Sequence, residues 1–329
     1  MLEVKNLQKY YGRKKILDGF NLCIKKGDVF GLIGINGAGK STLFQICTGL
    51  LRPDSGIVRL SGCDVFSDIN FVHEVVGYLP ENFGVYEDVT VLEYIQFYGA
   101  LYGLSSRRIS YWRELLELVN LGEQIECTVG SIPRSMKQRL GVARGLVHNP
   151  AMLILDEPLA NLDPLGKQEM IKVIQRLKKA GKTILLSSNV LTEVEEVCTQ
   201  VGIINHGKMF VQGTIDEVIE KLNSKISIEI VVVEGKTAAI ELLKKNQNVT
   251  RITVDEEKLI IGFRGSEWQE AALLTELTCN GVAVSSFGRM KGNLENLFIE
   301  ITRDTERRGE WYEGKSSLSK RFKIKRQRS

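Results

Sequence analysis

Four residues near the amino terminus have the types and the spacing of a phosphate-binding loop. Gly34, Gly39, Lys40 and Ser41 fit the pattern Gly-x-x-x-x-Gly-Lys-Ser/Thr, directly after the apolar run 29–33. The glycines let backbone N–H groups surround a phosphate, while Lys40 can reach the β- and γ-phosphates and Ser41 can bind Mg²⁺. A purely structural glycine-rich turn would explain neither the lysine nor the hydroxyl in this register. The pattern therefore predicts a nucleoside triphosphate site and a helix that begins near Lys40.

Two adjacent acids complete such a site. Asp156 and Glu157 follow the apolar run 151–155 in the segment AMLILDEP. A carboxylate at the end of a buried strand is a suitable ligand for Mg²⁺, and a second one beside it can take a proton from an attacking water molecule. We therefore predict that Asp156 holds the metal ion and that Glu157 polarises the water.

The elements that must position these residues follow an α/β pattern. Apolar runs bounded by turn residues are typical of strands buried in a sheet, and they occupy 28–34, 151–156, 182–188 and 201–205. Amphipathic helical segments alternate with these runs. Two capping boxes, Thr90 with Glu93 and Thr214 with Glu217, predict helices that begin near residues 91 and 215.

Near residue 224 the pattern changes to β-α-β-β-α-β, the order of a small ferredoxin-like α+β module. The helical segment NLENLFIEIT at 293–302 closes this module, and the chain beyond it is polar and basic. We therefore predict three parts: an α/β domain over 1–223, an accessory α+β domain over 224–302, and a basic, disordered tail over 303–329.

The positive charge of the chain is concentrated in this tail. Residues 315–329 contain seven Lys or Arg and no acid, and the whole chain of 329 residues has a net charge of +4, so residues 1–314 carry −3. The tail is either a solvated end or a segment that binds an anionic membrane surface, where each clustered cation contributes roughly 1 kcal/mol. Nucleic acid is not an expected partner, because the rest of the chain is nearly neutral and contains no recognised nucleic-acid module.

Several classes of protein are excluded by composition. The longest apolar runs fall well short of the roughly 18 residues of a membrane span, and the amino terminus lacks the apolar core of a signal peptide. The six cysteines are scattered without a Cys-x-x-Cys pair, which predicts small buried hydrophobic residues rather than disulfides or a zinc site. The three histidines are isolated and are expected at the surface or in turns. We predict a cytoplasmic protein.

In combination, these motifs resemble the ATP-binding cassette of ABC transporters over about residues 2–225. The resemblance is carried by the phosphate-binding loop, by LDEP at 155–158, by LANLDP at 159–164 and by Tyr11 before Gly12. The order of GLLRPDSG, VGYLPEN, MKQRLGVARGLVHNP and NLENLFIEIT is similar to that in the ATPase subunits of bacterial ABC-2-type exporters. The resemblance implies an α/β fold of the P-loop NTPase class with a small C-terminal α+β domain.

The same resemblance implies ligands and partners. ATP and Mg²⁺ are the expected ligands, and the expected partners are a second ABC subunit, identical or different, and a separately encoded membrane permease. The protein would then lie on the inner face of the cell membrane. Phe83, Val85 and Tyr86 are the candidates for contact with the permease.

Individual roles also follow from the resemblance. Tyr11 corresponds to the ring that stacks on adenine, and Asp163 to the acid that communicates across the dimer. The metal ion would be held by Ser41, Asp156 and Glu81. The phosphates would be held by the loop residues Gly34, Asn36, Gly37, Ala38, Gly39, Lys40, Ser41 and Thr42.

The segment Ile132–Met136, IPRSM, aligns with the family signature that caps the γ-phosphate bound by the partner subunit. Pro133 offers neither a hydroxyl nor an N–H group, and Arg134 and Ser135 replace glycines. The amides of Arg134, Ser135 and Met136 remain, and the guanidinium of Arg134 can substitute as a phosphate ligand. The helix behind this segment is predicted to have Ser135 as its cap.

Two further positions depart from the family pattern. Glu81 stands where the family has a glutamine, and Asn189 where it has the histidine that contacts the γ-phosphate. Either the protein is a working ATPase with tolerated variants, or it binds Mg-ATP and hydrolyses it slowly, and we expect the second. A protein that regulates a partner by binding ATP is an alternative function. A ribosome-associated ABC ATPase is another, although such proteins have two cassettes and the chain has one phosphate-binding loop.

Overall fold

The computed structural model describes residues 1–218, 226–255 and 258–289. Contacts between Cα atoms divide the chain into two units, Met1–Ile215 and Asp216–Ser329. The domain boundaries at 223 and 302 stay predictions. The predicted closing helix at 293–302 and the basic tail lie outside the described residues.

The first unit contains two sheets. Its strands are β1 (Leu2–Tyr11), β2 (Lys14–Ile24), β3 (Val29–Ile33), β4 (Ser55–Leu60), β5 (Cys63–Asp64), β6 (Val76–Leu79), β7 (Met152–Leu155), β8 (Thr183–Ser188), β9 (Gln200–Asn205) and β10 (Lys208–Gly213). One sheet is antiparallel with the order β2-β1-β4-β5. The other has the order β10-β9-β3-β8-β7-β6, and only β10 runs antiparallel within the described part of this sheet. The four apolar runs of the sequence form β3, β7, β8 and β9, as predicted.

Helices cover and connect these sheets. They are α1 (Lys40–Cys47), α2 (Ile69–Val75), α3 (Val91–Leu101), α4 (Ile109–Leu118), α5 (Arg134–Leu146), α6 (Pro164–Lys179) and α7 (Leu191–Val197). The apolar face of α1 packs in one core with residues of both sheets, including Leu17 and Phe20 of β2 and Leu32 of β3. Every residue of β3, β7 and β8 is buried, which explains why β3 and β7 are apolar throughout rather than alternating. The polar residues of β8, Thr183, Ser187 and Ser188, are buried as well.

Helix α3 begins where the sequence predicts. The N–H of Glu93 donates to the hydroxyl of Thr90 at 3.2 Å, and the N–H of Thr90 donates to the Glu93 carboxylate at 2.8 Å. The capping box is therefore confirmed. Residues 215–218, which directly follow Thr214 of the second predicted capping box, are helical.

Helix α5 lies unusually close to β6. A Cβ atom added to Gly77 of β6 would lie 2.0 Å from the carbonyl oxygen of Gly145 of α5 and 2.8 Å from a methyl group of Leu153. Only glycine leaves room for this approach of helix backbone to strand backbone. The contact fixes α5, and with it the IPRSM segment at its amino terminus, against the parallel sheet.

The second unit has the predicted β-α-β-β-α-β order. Its elements are β11 (Ile226–Glu234), α8 (Lys236–Lys245), β12 (Val249–Asp255), β13 (Lys258–Phe263), α9 (Glu267–Cys279) and β14 (Ala283–Arg289). The antiparallel sheet has the order β12-β13-β11-β14. Ile228, Ile230 and Ile261 of this sheet pack with Leu243 of α8 and Leu273 of α9 in a separate core.

The prediction for the cysteines is wrong for four of the six. Cys47 and Cys198 are buried, but Cys23, Cys63, Cys127 and Cys279 are exposed. All six lie in the described ranges, and each is a free thiol. Within the same ranges, every helix is too short or too polar to cross a bilayer.

Candidate active site

The residues predicted to bind phosphate and metal meet at the carboxyl edge of the parallel sheet. Strands β3, β8, β7 and β6 are neighbours, and their last residues pair as Ile33 with Ser188 and Leu79 with Leu155. Gly34, Asn189 and Asp156 directly follow β3, β8 and β7, and Glu81 stands two residues beyond β6. The strand order therefore brings together residues that are up to 155 positions apart in the chain.

At two positions of the phosphate-binding loop, the surrounding structure requires glycine. A Cβ on Gly34 would lie 2.8 Å from the carbonyl oxygen of Ile204 and 2.7 Å from one of its methyl groups. Gly39, at the start of α1, adopts a φ of 110°, and a Cβ there would lie 3.0 Å from the carbonyl oxygen of Ile16. The loop thus needs glycine for its turn and for its close packing, and this leaves backbone N–H groups at the start of α1 to face a phosphate.

Asn36 and Gly37, at the tip of this loop, are exposed, whereas Ala38 is buried. The carbonyl oxygen of Ala38 accepts a hydrogen bond of 3.1 Å from the N–H of Gly207. The loop is therefore anchored to the turn after β9, while its tip is accessible to a ligand.

Lys40 and Glu157 form a buried ion pair. The Nζ atom of Lys40 lies 3.1 Å from Oε1 of Glu157, and it donates a hydrogen bond of 2.6 Å to the carbonyl oxygen of Gly34. Burial raises the pKa of the Glu157 carboxyl, and the charge of Lys40 and the N–H of Asn189 act in the opposite direction. Among the described residues, Oε1 accepts no hydrogen bond of good geometry, so the contact is chiefly one between charges.

The backbone of Glu157 is in the left-handed region, with a φ of 49°. Its N–H donates a hydrogen bond of 2.7 Å to the hydroxyl of Ser187, and that hydroxyl donates one of 2.6 Å to Asp156. Ser187 thus fixes both acids of the site. Sequence analysis missed this role, because a serine at the end of a strand is indistinguishable from a turn residue until the order of β7 and β8 is known.

The residues predicted to bind Mg²⁺ supply oxygen atoms, the donors that this ion prefers. Asp156 is buried and held by Ser187, Ser41 is half-buried in the first turn of α1 next to Thr42, and Glu81 is exposed. The described residues contain no cluster of three or more His, Cys, Asp or Glu side chains arranged for a metal ion. One hydroxyl and one or two carboxylates fit an ion that takes its remaining ligands from phosphate and water.

Tyr11 lies at the tip of the β1–β2 hairpin with half of its surface exposed. The strand that leaves this hairpin reaches the phosphate-binding loop, because the carbonyl oxygen of Ile16 packs against Gly39. An exposed ring near the loop is suitable for stacking on a base.

The residues of the IPRSM segment form a second cluster, and here two predictions are wrong. Helix α5 begins at Arg134 with Pro133 as its N-cap residue, so Ser135 lies inside the first turn and is not the cap. The N–H of Met136 donates to the carbonyl oxygen of Pro133 at 3.0 Å, so it is already used. Only the N–H groups of Arg134 and Ser135 remain in a turn that has no acceptors for them inside the helix.

This second cluster includes Asp163. Gly166, in the first turn of α6, lies between Asp163 and the IPRSM segment. A Cβ on Gly166 would lie 2.6 Å from Cβ of Ser135 and 2.7 Å from a carboxylate oxygen of Asp163. The structure therefore brings Ser135 and Asp163 together at the amino-terminal ends of α5 and α6.

A cavity of about 220 Å³ lies beside the carboxyl-terminal end of α5. Its lining includes Tyr98, Tyr102, Arg144 and His148. The ring of His148 stacks on Tyr102 with centroids 4.1 Å apart, and the guanidinium of Arg144 lies 4.9 Å from the ring centroid of Phe83. Phe83 and Val85 are half-buried, whereas Tyr86 is 55% exposed.

Comparison with known proteins finds relatives along nearly the whole chain. Residues 17–160 match the sequence profile of the family described as ABC transporter. The linearmycin resistance ATP-binding protein LnrL of Bacillus subtilis is 31% identical over 313 residues, which cover 93% of this chain and 100% of that protein. The bacitracin transport ATP-binding protein BcrA of Enterococcus faecalis is 33% identical over 303 residues, covering 92% of this chain and 96% of that protein.

Solved structures resemble about two-thirds of the chain. The structure of an ATP-binding subunit of an ABC transporter matches with a TM-score of 0.60 and 28% identity, covering 68% of this chain and 93% of that one. The crystal structure of an ABC transporter cassette in its ADP conformation matches with a TM-score of 0.59 and 26% identity, covering 68% of this chain and 94% of that one.

Proposed function

Since the chain belongs to the family of ATP-binding proteins of ABC transporters, we propose that it is the ATPase subunit of an ABC-2-type exporter and that it acts with Mg²⁺. Its relatives LnrL and BcrA are ATP-binding proteins of resistance and transport, and the similarity covers nearly their whole length. The observation that carries the proposal is the convergence of Lys40, Asp156 and Glu157 at the end of β3 and β7. An alternative in which the protein binds ATP without taking part in transport is not favoured, because the relatives named above are transport and resistance proteins.

Each side chain of the site has a distinct task in this proposal. Lys40 leaves Glu157 and contacts the β- and γ-phosphates, which frees the carboxylate to accept a proton from the attacking water. Asp156 and Ser41 would hold the Mg²⁺ ion, which would neutralise charge on the phosphate oxygens. Ser187 keeps both carboxylates in place through its two hydrogen bonds. Tyr11 stacks on the adenine ring.

The experiment is nucleotide binding by Lys40→Ala. This substitution removes a charge-assisted contact to phosphate, so we expect ATP affinity measured by calorimetry to fall roughly ten- to hundredfold. Lys172→Ala is the matched control, because it removes a lysine of an exposed ion pair on α6. Unchanged ATP affinity in Lys40→Ala would overturn the assignment of the site.

We also propose that turnover in the isolated protein is slow. Two such cassettes would close head to tail, so that the IPRSM segment of one meets the phosphates held by the other. Pro133 supplies no donor, and the amide of Met136 is already bonded within α5. These features support a native pair of two different subunits, in which an intact partner signature completes the site on this chain.

For the permease we propose a contact at the cavity beside α5 and at Tyr86. The lining combines the exposed ring of Tyr102 and half-buried aromatic rings with the cation of Arg144, which suits an apolar helix that carries an acidic residue. Replacement of Tyr102 by Asp should reduce co-purification with the membrane permease that this proposal assigns to the chain. Undiminished co-purification would place the contact elsewhere.

A further inference from the structure

A buried carboxylate outside the proposed site connects the strand end that carries Asn189 with the helix that follows Asp163. Glu193 of α7 is 9% exposed. One of its oxygen atoms accepts a hydrogen bond of 3.1 Å from the hydroxyl of Ser188, and the other lies 2.6 Å from Nζ of Lys167 in α6. The mechanism proposed above makes no use of this residue.

The single proton of the Ser188 hydroxyl has two possible acceptors. The hydroxyl oxygen lies 3.0 Å from the carbonyl oxygen of Val190 and 3.1 Å from the Glu193 carboxylate, and it accepts a hydrogen bond of 2.9 Å from the N–H of Val190. A charged carboxylate is the stronger acceptor. With its proton directed to Glu193, the hydroxyl holds the N–H of Val190 and so fixes the turn that contains Asn189.

This turn matters for the site because Asn189 directly follows β8, whose last residue Ser188 pairs with Ile33 at the entrance to the phosphate-binding loop. A change in the turn at 188–190 would therefore move Asn189, both its side chain and the N–H group that helps to lower the pKa of Glu157. Glu193 contacts neither the phosphate-binding loop nor the two acids in the described hydrogen bonds, so its influence passes through Ser188.

Helix α7, which carries Glu193, is held in place by close packing on β3. A Cβ on Gly31 of β3 would lie 2.2 Å from a methyl group of Val194 and 2.9 Å from the sulfur of Cys198. The helix thus fills the space above a glycine in the strand that leads into the phosphate-binding loop. The position of the Glu193 carboxylate is consequently set by close packing of α7 on β3 rather than by its polar partners.

The second contact of Glu193, its ion pair with Lys167, connects it to α6. Lys167 lies one turn after Asp163, and its N–H donates to the carbonyl oxygen of Asp163 at 2.9 Å. We propose that Glu193 is a positioning residue that holds Asn189, at the γ-phosphate side of the site, in register with Asp163, at the surface where the second subunit binds. This inference rests on the proposed function.

Three variants distinguish the two contacts of Glu193, the one with Ser188 and the one with Lys167. Lys167→Met removes the cation, Glu193→Gln keeps an acceptor for Ser188 but loses the charge, and Glu193→Ala loses both contacts. We expect kcat for phosphate release to fall roughly three- to tenfold in the first two and about tenfold or more in Glu193→Ala, because the register of the site affects the chemical step. The Kd for ATP should change less than twofold, since the phosphate-binding loop is untouched.

Lys172→Met is the matched control, because it breaks an exposed ion pair on the same helix, and its kcat should equal that of wild type. The double variant Glu193→Gln with Lys167→Met should lose no more than the worse single variant, since both remove one contact. A kcat unchanged in both single variants, or losses that multiply in the double variant, would overturn the inference. Should Glu193→Ala fail to fold in a urea titration, the other two variants decide.

The wild-type protein distinguishes this inference from its premise. An ATP affinity of wild type no higher than that of Lys40→Ala would contradict the proposed function and remove the basis for the inference. An ATP affinity well above that background, together with unaffected variants, would contradict the role of Glu193 alone.

Discussion

Glu157 is a buried acid that sits in a left-handed backbone conformation and contacts a lysine. Such a conformation costs about 1 kcal/mol or more for a residue with a side chain, so the surrounding structure must hold it. The hydrogen bond from its N–H to Ser187 is one of the contacts that do so. Glutamine has the same shape as glutamate, and Glu157→Gln therefore tests the base without altering the fold.

We expect Glu157→Gln to lower the rate of ATP hydrolysis by roughly 10²–10⁴-fold, the usual contribution of a positioned general base. Because the phosphate-binding loop is intact, ATP should still bind. The measurement is steady-state phosphate release at saturating Mg-ATP, with Glu169→Gln, which alters a half-buried acid of α6 outside the site, as the control. Turnover equal to that of wild type would show that another group accepts the proton.

His148 predicts a pH dependence of stability. Burial lowers its pKa to about 4, and the nearby cations of Lys182 and His73 act in the same direction. Between pH 4 and the ordinary value of about 6.5, the unfolded chain binds a proton that the folded chain does not, so stability rises with pH in this window. The contribution of the neutral His148 to stability is thus fully present above pH 6.5 and is lost as the pH falls towards 4.

The variant that checks this is His148→Phe, which keeps a ring on Tyr102 and removes the titrating group. We expect the decrease in the free energy of unfolding between pH 7 and pH 5 to become smaller by roughly 1–2 kcal/mol, allowing for solvent screening of a partly exposed ring. The measurement is urea unfolding at a series of pH values. An identical pH dependence in both proteins would assign it to other groups.

At the scale of elements, the approach of α5 to β6 makes the clearest prediction. A methyl group at position 77 would overlap a backbone carbonyl, which cannot rotate away as a side chain can. We expect Gly77→Ala to destabilise the protein by about 3 kcal/mol or more, at or above the upper end of overpacking costs. Gly84→Ala is the control, because none of the described atoms comes within 4 Å of the added carbon. Equal urea midpoints would show that α5 can shift freely.

Elements whose cause is local could be predicted from the sequence. The strands β3 and β7 are continuous apolar runs, β8 has an apolar centre at 184–186, and the capping box of α3 is complete within four residues. The phosphate-binding loop is equally local, because glycine spacing and the following lysine lie in one segment. Asp156 and Glu157 were predictable for the same reason.

Features that depend on packing between distant segments could not be predicted. Ser135 is a good cap by type, but its Cβ packs against Gly166 of α6, which places it inside the first turn of α5. Ser187 and Glu193 gain their partners from strands and helices that the sequence does not show to be neighbours. Cys23 and Cys63 lie on strands of one sheet, where the sheet topology decides which face meets solvent, whereas Cys127 lies in a loop and Cys279 is the last residue of α9.

At the scale of the whole molecule, two clusters must be considered together. One contains the phosphate-binding loop with Asn189, and the other contains the IPRSM segment with Asp163. Because the second cluster would act on the partner's nucleotide, its defects and those of Asn189 combine in a homodimer but are divided between the two sites of a heterodimer. Loss of one donor to a developing charge costs roughly 10²–10³ in rate.

Repair of both clusters is the corresponding prediction. Pro133→Ser, Arg134→Gly, Ser135→Gly and Asn189→His together should raise the ATPase rate of the isolated protein at least about tenfold, which is a fraction of the cost of one donor. Adding Lys40→Ala to the repaired protein should abolish the gain, which controls for a contaminating ATPase. Brisk phosphate release by wild type, left unimproved by the repair, would favour a fully active homodimer.

The ion pair between Lys40 and Glu157 also links nucleotide binding to protons. When Lys40 exchanges its carboxylate for a phosphate of ATP in the absence of Mg²⁺, Glu157 loses a neutralising charge and gains a negatively charged neighbour, and both changes raise its pKa above an already raised value. Binding of ATP should therefore be accompanied by uptake of a fraction of a proton and should strengthen as the pH falls towards the pKa of this carboxyl. Calorimetry in buffers of different ionisation enthalpy measures that fraction directly. Glu157→Gln, which has no proton to accept, should bind ATP with the same apparent enthalpy in every buffer.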